Sequence, residues 1–353
     1  MRPIIEGFAI ETVEGLIFTV KGLLHPPDRV IAYLRYLPDP QGDRLRDGSP
    51  YRRVYHFEEQ EQLLGSRYPD YLGRDPVLGI RVQGVPRSRI RSVYDPCAYL
   101  EHLRRRGPAD RAEADAWELV SLLQETTAVP WDDLGVSGSL MLSTHRPDSD
   151  IDLLVYGEES ARAVHRALVG LLQEESAPLR RPHQGELEGL HAAHRRETPL
   201  SLPDFIRAQM RKANEGRFRD RPFFVRFVKR PAETGERYGD RRFHFIRRAT
   251  VRVIILDDRD AIFTPCCYRV NPALSPTGQP AGAIREIVSY RGRFSDQVRA
   301  DETAEACGNL ERVESGVGET YHRLVIGGQA GDYLLAAGDA GRGQQAGAPV
   351  NRQ

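Results

Sequence analysis

Cysteine is scarce in this chain, with four among 353 residues and no CxxC spacing. Cys266 and Cys267 are adjacent, which suits neither a zinc knuckle nor a mutual disulfide, so all four are expected as free thiols in a reducing cytoplasm. Long apolar runs are missing too: none approaches the roughly 20 residues that span a bilayer. The opening MRPIIEGFAIETVEGLIF carries acids where a signal peptide needs an unbroken apolar stretch, so a cytoplasmic protein with no membrane partner is expected. Formal net charge is +0, so any attraction to nucleic acid must come from a local patch. The ten histidines form no ligand pattern; His191 and His194 share a helix face but lack a third ligand at zinc-like spacing. No P-loop, no GxGxxG and no Ser nucleophile elbow occur, which argues against kinase, dehydrogenase and hydrolase chemistry. There is no internal repeat.

What is present suits two or three folded domains: hydrophobic residues make up 40% and charged residues 28%. Residues 1–95 read as an α/β unit, with β-branched and aromatic segments such as FAIETVEGLIFTV and RVIAYLRYLPD and a short helix at Glu58–Leu64. Residues 96–238 begin after a break at Pro96 with two amphipathic helices, AYLEHLRRR and AEADAWELVSLLQETT. ESARAVHRALVGLLQEE is another helix, with Ala161, Val164, Ala167, Leu168 and Leu171 on one face. A basic stretch from Arg180 to Arg248 follows, in which LSLPDFIRAQMRKANEG reads as a helix and FFVRFVKR as a strand. Residues 239–336 read as short strands of a small barrel or sandwich, and 337–353 as a disordered Gly-, Ala- and Gln-rich tail.

Chemistry concentrates between Leu134 and Gly157. In the strand SDIDLLVYG, Asp150 and Asp152 project to one face while Ile151, Leu153 and Val155 face a core. Two ionised carboxylates side by side are costly without a cation between them, and a hard divalent ion, Mg²⁺ first, is the natural partner. Upstream, the strand Leu134–Val136 runs into Ser137-Gly138-Ser139. Gly138 permits a tight turn and close approach of a ligand to the main chain, the Ser139 hydroxyl adds a donor, and LMLST can open a helix towards an anion.

This Gly-Ser pair, followed some ten residues later by Asp-x-Asp on an apolar strand, resembles the signature of the DNA polymerase β-like nucleotidyltransferase superfamily. The chain as a whole also resembles an uncharacterised prokaryotic group of predicted nucleotidyltransferases. The resemblance implies an α+β multidomain protein whose central core is a mixed sheet with flanking helices, followed by a β-rich C-terminal domain. It implies that Gly138 and Ser139 hold the β- and γ-phosphates of an NTP, and that Asp150 and Asp152 are catalytic and hold Mg²⁺, for which Mn²⁺ can substitute. The superfamily's third carboxylate, from a later strand, has no clear counterpart: FFVRFVKR offers Arg226 there, and Asp258 or Asp257 is the alternative. Arg211, Lys212, Arg226 and Lys229 are candidate contacts to phosphates or nucleic acid, against a reading of the same residues as a solvated, salt-bridged face. SYRGRF mixes Arg with aromatics, as nucleic-acid-binding barrels do, although Tyr290 and Phe294 serve equally as core residues. The expected activity is transfer of an NMP from an NTP to a hydroxyl acceptor, with an RNA or other nucleic-acid end favoured. Alternatives are a non-catalytic nucleotide- or RNA-binding module, and nucleotidylation of a small molecule or protein.

Overall fold

Alternating burial builds the N-terminal sheet. The computed structural model describes residues 2–194, 197, 199–271, 284–316 and 318–337; the expected tail lies outside these beyond Ala337. The sheet comprises β1 (Ala9–Thr12), β2 (Ile17–Val20), β3 (Arg29–Pro38), β4 (Arg44–Arg46) and β5 (Ser49–Arg53), then, after helix α1 (Phe57–Arg67), β6 (Leu72–Arg74), β7 (Arg81–Pro86) and β8 (Ile90–Tyr94). Its main path is β4-β5-β3-β2-β1-β8, with β7 joining β3 to β6. Ile10 and Phe18 enter one apolar cluster and their neighbours Ala9 and Ile17 another, as the two-residue strand period requires, while an irregularity in β3 puts Leu34 in the first and Tyr36 in the second. Both clusters reach beyond the sheet: the first takes in Leu154, Tyr156 and Val228, the second Met141 and Leu142.

The middle of the chain forms α2 (Pro96–Arg106), α3 (Arg111–Thr127), β9 (Leu134–Val136), α4 (Gly138–Met141), β10 (Ile151–Tyr156) and α5 (Glu158–Leu171). It continues through β11 (Leu179–Arg180), α6 (Gln184–His194), α7 (Leu202–Gln209), β12 (Glu215–Phe218), β13 (Arg221–Val228) and α8 (Pro231–Thr234). Pro96 opens α2 rather than only breaking the chain: Asp95 caps it by accepting from Cys97 N–H (2.8 Å) and Ala98 N–H (3.3 Å), and proline at the first position forfeits no helical bond. The strands order as β11-β12-β13-β10-β9, with β10 and β13 parallel. Ala116, Leu119 and Leu123 of α3 and Ala161, Val164 and Leu168 of α5 cover Ile151, Leu153 and Val155. The helix expected across LSLPDFIRAQMRKANEG stops at Gln209. Beyond it the backbone makes tertiary bonds instead, Ala213 N–H to Asp296 (2.8 Å) and Val225 N–H to the Asn214 carbonyl (2.7 Å).

The last strands are β14 (Arg241–Asp257), β15 (Cys266–Val270), β16 (Ile284–Ser289), β17 (Thr303–Ser315), β18 (Thr320–Ile326) and β19 (Tyr333–Ala336). Their pairings, β14-β15-β16-β18-β17 and back to β14, form a hydrogen-bonded ring in which β16 and β18 are parallel and β19 adds to β17. Tyr268, Phe294, Leu324 and Ile326 fill its interior. Helices and sheets together make this an α+β protein, and no helix among the described residues is long and apolar enough to cross a membrane.

One half-buried histidine is expected to make the N-terminal sheet acid-sensitive. His25 Nδ1 accepts from Ile31 N–H (3.2 Å) while Nε2 lies 3.0 Å from the Ile4 carbonyl, which fits only the neutral ring protonated at Nε2. Burial pushes its pKa down to about 4. A lowered histidine pKa costs nothing above the unfolded value near 6.5, and destabilises as pH falls from there towards 4. The expected loss reaches up to about 3 kcal/mol at pH 4. Denaturant midpoints of wild type and His25→Gln, measured from pH 7 to 4, should converge as pH falls; parallel curves would remove His25 from the account.

Candidate active site

The turn after β9 is shaped around one carboxylate. Gly138 has φ of +64°, and a Cβ there would lie 2.1 Å from Asp152 Oδ2. Only glycine tolerates both the left-handed backbone and that approach. Ser137 N–H donates to the Asp152 carbonyl (2.9 Å), and β9 pairs with β10 (Val136 opposite Leu153), so turn and carboxylate strand are one hydrogen-bonded unit. Ser139 is buried, and Thr144 N–H donates to its carbonyl (2.9 Å). The helix expected after the turn is a single turn, α4, held by Met141 and Leu142 packing on Tyr36 and Tyr51 of the N-terminal sheet. Four residues sum few peptide dipoles, so its field on an anion is small.

Asp150 is exposed and Asp152 half-buried, and among the described residues neither carboxylate has a hydrogen-bond or ion-pair partner. Burial, then the nearby Asp150 charge, pushes the Asp152 carboxyl up to about 6 against the pull of Arg226, Arg35 and Arg53. Two unpartnered hard-oxygen donors of like charge beside a close-packed glycine turn fit a divalent cation such as Mg²⁺, held by Asp150 and Asp152. Such an ion would offset the negative charge of phosphate oxygens. The chain's own part is to fix the carboxylate strand against the Ser137–Ser139 turn by the β9–β10 pairing.

Parallel pairing sets Phe224 beside Asp152 and Arg226 beside Leu154, so the position where the pattern calls for a third acid faces the site with an arginine. Arg226 pairs with Glu6, which is wholly buried and also accepts from Lys21 (2.9 Å) and Gly22 N–H (2.8 Å). Burial acts to raise the Glu6 pKa, but Lys21, Arg226 and the Gly22 N–H together hold it below the usual carboxylate value. Glu6 is therefore committed to its cations. Asp257 is engaged by Arg259 (2.6 Å), and Asp258 joins no cluster: among the described residues no three His, Cys, Asp or Glu gather as a metal site.

The carboxylates open into a cavity of about 1670 Å³ between the N-terminal sheet, β10 and β13, and the β15–β16 side of the ring. Arg226 and Lys229 line it, Lys229 bridging Asp260 (2.8 Å) and Glu158 (3.3 Å). Arg211 and Lys212 do not line it. Arg211 pairs with Glu302, and buried Lys212 donates to the Arg293 carbonyl (2.8 Å) and pairs with Glu215 (2.9 Å), holding α7 to the ring. In SYRGRF, Tyr290 lines the cavity and Phe294 is core, while Arg291 (3.1 Å) and Arg293 (2.6 Å) converge on Glu197. Arg35 and Arg53, from β3 and β5, line the cavity opposite Asp152 and escape a sequence reading, because nothing local distinguishes them from other strand arginines.

Residues 122–200 match the model of the nucleotidyltransferase domain. This segment is similar to nucleotidyltransferase domains. It contains Gly138, Ser139, Asp150 and Asp152, and so the whole glycine turn and carboxylate strand. Over most of its length the chain is similar to an uncharacterized protein of Methanocaldococcus jannaschii. The two are 26% identical over 327 residues, covering 90% of this chain and 94% of that relative. No solved structure matches the chain.

Proposed function

We propose that the chain is a Mg²⁺-dependent nucleotidyltransferase that moves an NMP from an NTP to a hydroxyl of a nucleic-acid end, most simply RNA. The carrying observation is the pair Asp150 and Asp152, without a hydrogen-bond or ion-pair partner among the described residues, lining the cavity together with the Gly138–Ser139 turn. In this reading Gly138 and Ser139 bind phosphate oxygens through the main chain and the Ser139 hydroxyl. Asp150 and Asp152 hold the metal, and the acceptor hydroxyl attacks the α-phosphorus in line as pyrophosphate leaves. A nucleic-acid acceptor is supported by the ring of β14–β18. Its strand order is that of small Greek-key barrels whose second and third strands bind oligonucleotides, and here those strands, β15 and β16, bring Cys267, Arg269 and Glu286 to the cavity.

Incubation with each α-labelled NTP, Mg²⁺ and bulk RNA, DNA or protein tests this directly. Label is expected on RNA, with RNA affinity falling steeply as salt rises; label on protein, or on a small molecule in cell extract, would redirect the acceptor. A second reading, a nucleotide-binding module without turnover, is favoured by Arg226 standing where a third acid would be and by its pairing with Glu6. NTP binding with no label transferred to any acceptor would establish it.

A further inference from the structure

Most basic side chains around the cavity are already neutralised: Arg162 and Lys229 by Glu158 and Asp260, Arg226 by Glu6, Arg241 by Glu236 and Glu286, Arg323 by Glu311, and Arg291 and Arg293 by Glu197. Arg35 and Arg53 differ. Both are half-buried, and among the described residues neither has an acidic partner within 4.0 Å or a side-chain hydrogen bond. Arg53 Nε is buried with no hydrogen-bond partner among the described residues. Their guanidiniums flank Tyr55, with Cζ 5.1 Å (Arg35) and 4.1 Å (Arg53) from the ring centroid. Two like charges gathered this way, partly desolvated and with Asp152 close enough to feel them but not in direct ion-pair contact, are left with capacity for an added anion.

Backbone geometry brings them to one rim. Arg53 lies opposite Tyr36, the residue that packs towards Met141 and the glycine turn. Simple alternation would send Arg35, next to Tyr36, to the other face. The β2–β3 pairing instead jumps from Ile17 opposite Tyr36 to Phe18 opposite Leu34, leaving Arg35 as the extra residue of a β-bulge. A bulge re-aims its side chain, and Arg35 lines the same cavity as Arg53, Ser137, Gly138, Asp150 and Asp152. Since α4 is too short to supply much positive field, the charge of a polyphosphate has to be met elsewhere.

We infer that Arg35 and Arg53 are the clamp for the β- and γ-phosphates of the nucleotide, so that the N-terminal sheet completes the substrate site of the nucleotidyltransferase domain. The inference rests on the nucleotidyl-transfer reading above. In the transfer, the acceptor oxygen forms a bond to the α-phosphorus and the bond from it to the α–β bridging oxygen breaks. The bridging oxygen keeps the electron pair, and pyrophosphate leaves with a proton released to solvent. The two guanidiniums hold the phosphates that become this leaving group, through bidentate contacts that a guanidinium makes and an ammonium does not.

The test is equilibrium binding of each of the four NTPs and the matching NMPs to the full-length chain with Mg²⁺, for wild type, Arg35→Gln, Arg53→Gln and Arg53→Lys. Wild type should prefer an NTP over its NMP. Each Gln variant should lose about ten- to hundredfold in NTP affinity, the worth of a charge-assisted contact. NMP affinity should stay put, the unfolding midpoint without nucleotide should not fall, and Arg53→Lys should recover part of the loss. If the Gln variants keep the wild-type NTP preference, or lose NTP and NMP affinity alike, the clamp is wrong while nucleotide binding stands. If wild type binds no nucleotide, the nucleotidyl-transfer reading fails first and takes the clamp with it.

Discussion

Asp152→Asn is expected to abolish nucleotidyl transfer, by a factor of at least about 10³, while making the metal-free protein more stable at neutral pH. The two effects share one cause. Burial and Asp150 raise the Asp152 pKa to about 6. A carboxyl whose folded pKa exceeds its unfolded value near 3.9 binds its proton more tightly when folded. Its ionisation therefore weakens the fold progressively as pH rises from about 4 to about 6, and the loss is constant above that. The full effect is at most about 3 kcal/mol. Asparagine removes the charge and the repulsion but cannot replace an anionic metal ligand. Unfolding midpoints in EDTA should therefore favour the variant above pH 6 and match wild type near pH 4. Added Mg²⁺ should raise the wild-type midpoint and leave the variant's unmoved. A variant destabilised at pH 7 and equally responsive to Mg²⁺ would mean that Asp152 is a structural acid.

Gly138→Ala should be nearly as damaging by a different route. The new Cβ would sit 2.1 Å from Asp152 Oδ2, on a backbone with φ of +64° that alanine adopts at a cost of about 1–2 kcal/mol. Either the turn moves away from β10 or the carboxylate swings out, and both separate the Gly138–Ser139 turn from Asp150 and Asp152, which the proposed reaction needs together. Activity is expected to fall by about 10² or more, since misplacement by about 1 Å carries that penalty. Gly48 provides the control: it also has positive φ, but nothing lies within 4 Å of where its Cβ would be. Gly48→Ala should therefore show the backbone strain alone, with transfer intact. Equal loss in both variants would shift the explanation from the site to general stability.

The comparison of Asp152 with Arg226 separates what sequence can carry from what it cannot. Asp152 lies on β10 and Asp150 immediately precedes it, and the two-residue period of extended backbone, legible in the sequence, puts both on one side, where both line the cavity. The Gly138 turn is similarly local: a positive-φ glycine between a strand and a helical turn needs no distant partner to be recognised. The covering of Ile151, Leu153 and Val155 by α5 follows from the three- and four-residue spacing of Ala161, Val164 and Leu168.

Arg226 shows the opposite case. Its position on a strand of the central sheet was legible, but its partner is Glu6, 220 residues away. Charge in the basic stretch did not predict exposure to ligand, because Arg211 and Lys212 are spent on Glu302, Glu215 and the Arg293 carbonyl. The helix through Asn214 failed for a related reason: tertiary hydrogen bonds to Asp296 and from Val225 outweighed local propensity.

The chain's sequence by itself therefore determined the glycine turn, the carboxylate strand and the core that carries them, since each depends on backbone periodicity over a few residues. Only the tertiary structure decided which cations remain unpaired around that strand. Pairing is settled by distances between segments far apart in the chain, and a one-residue bulge in β3 accompanies the placing of Arg35 on the cavity that Asp152 also lines.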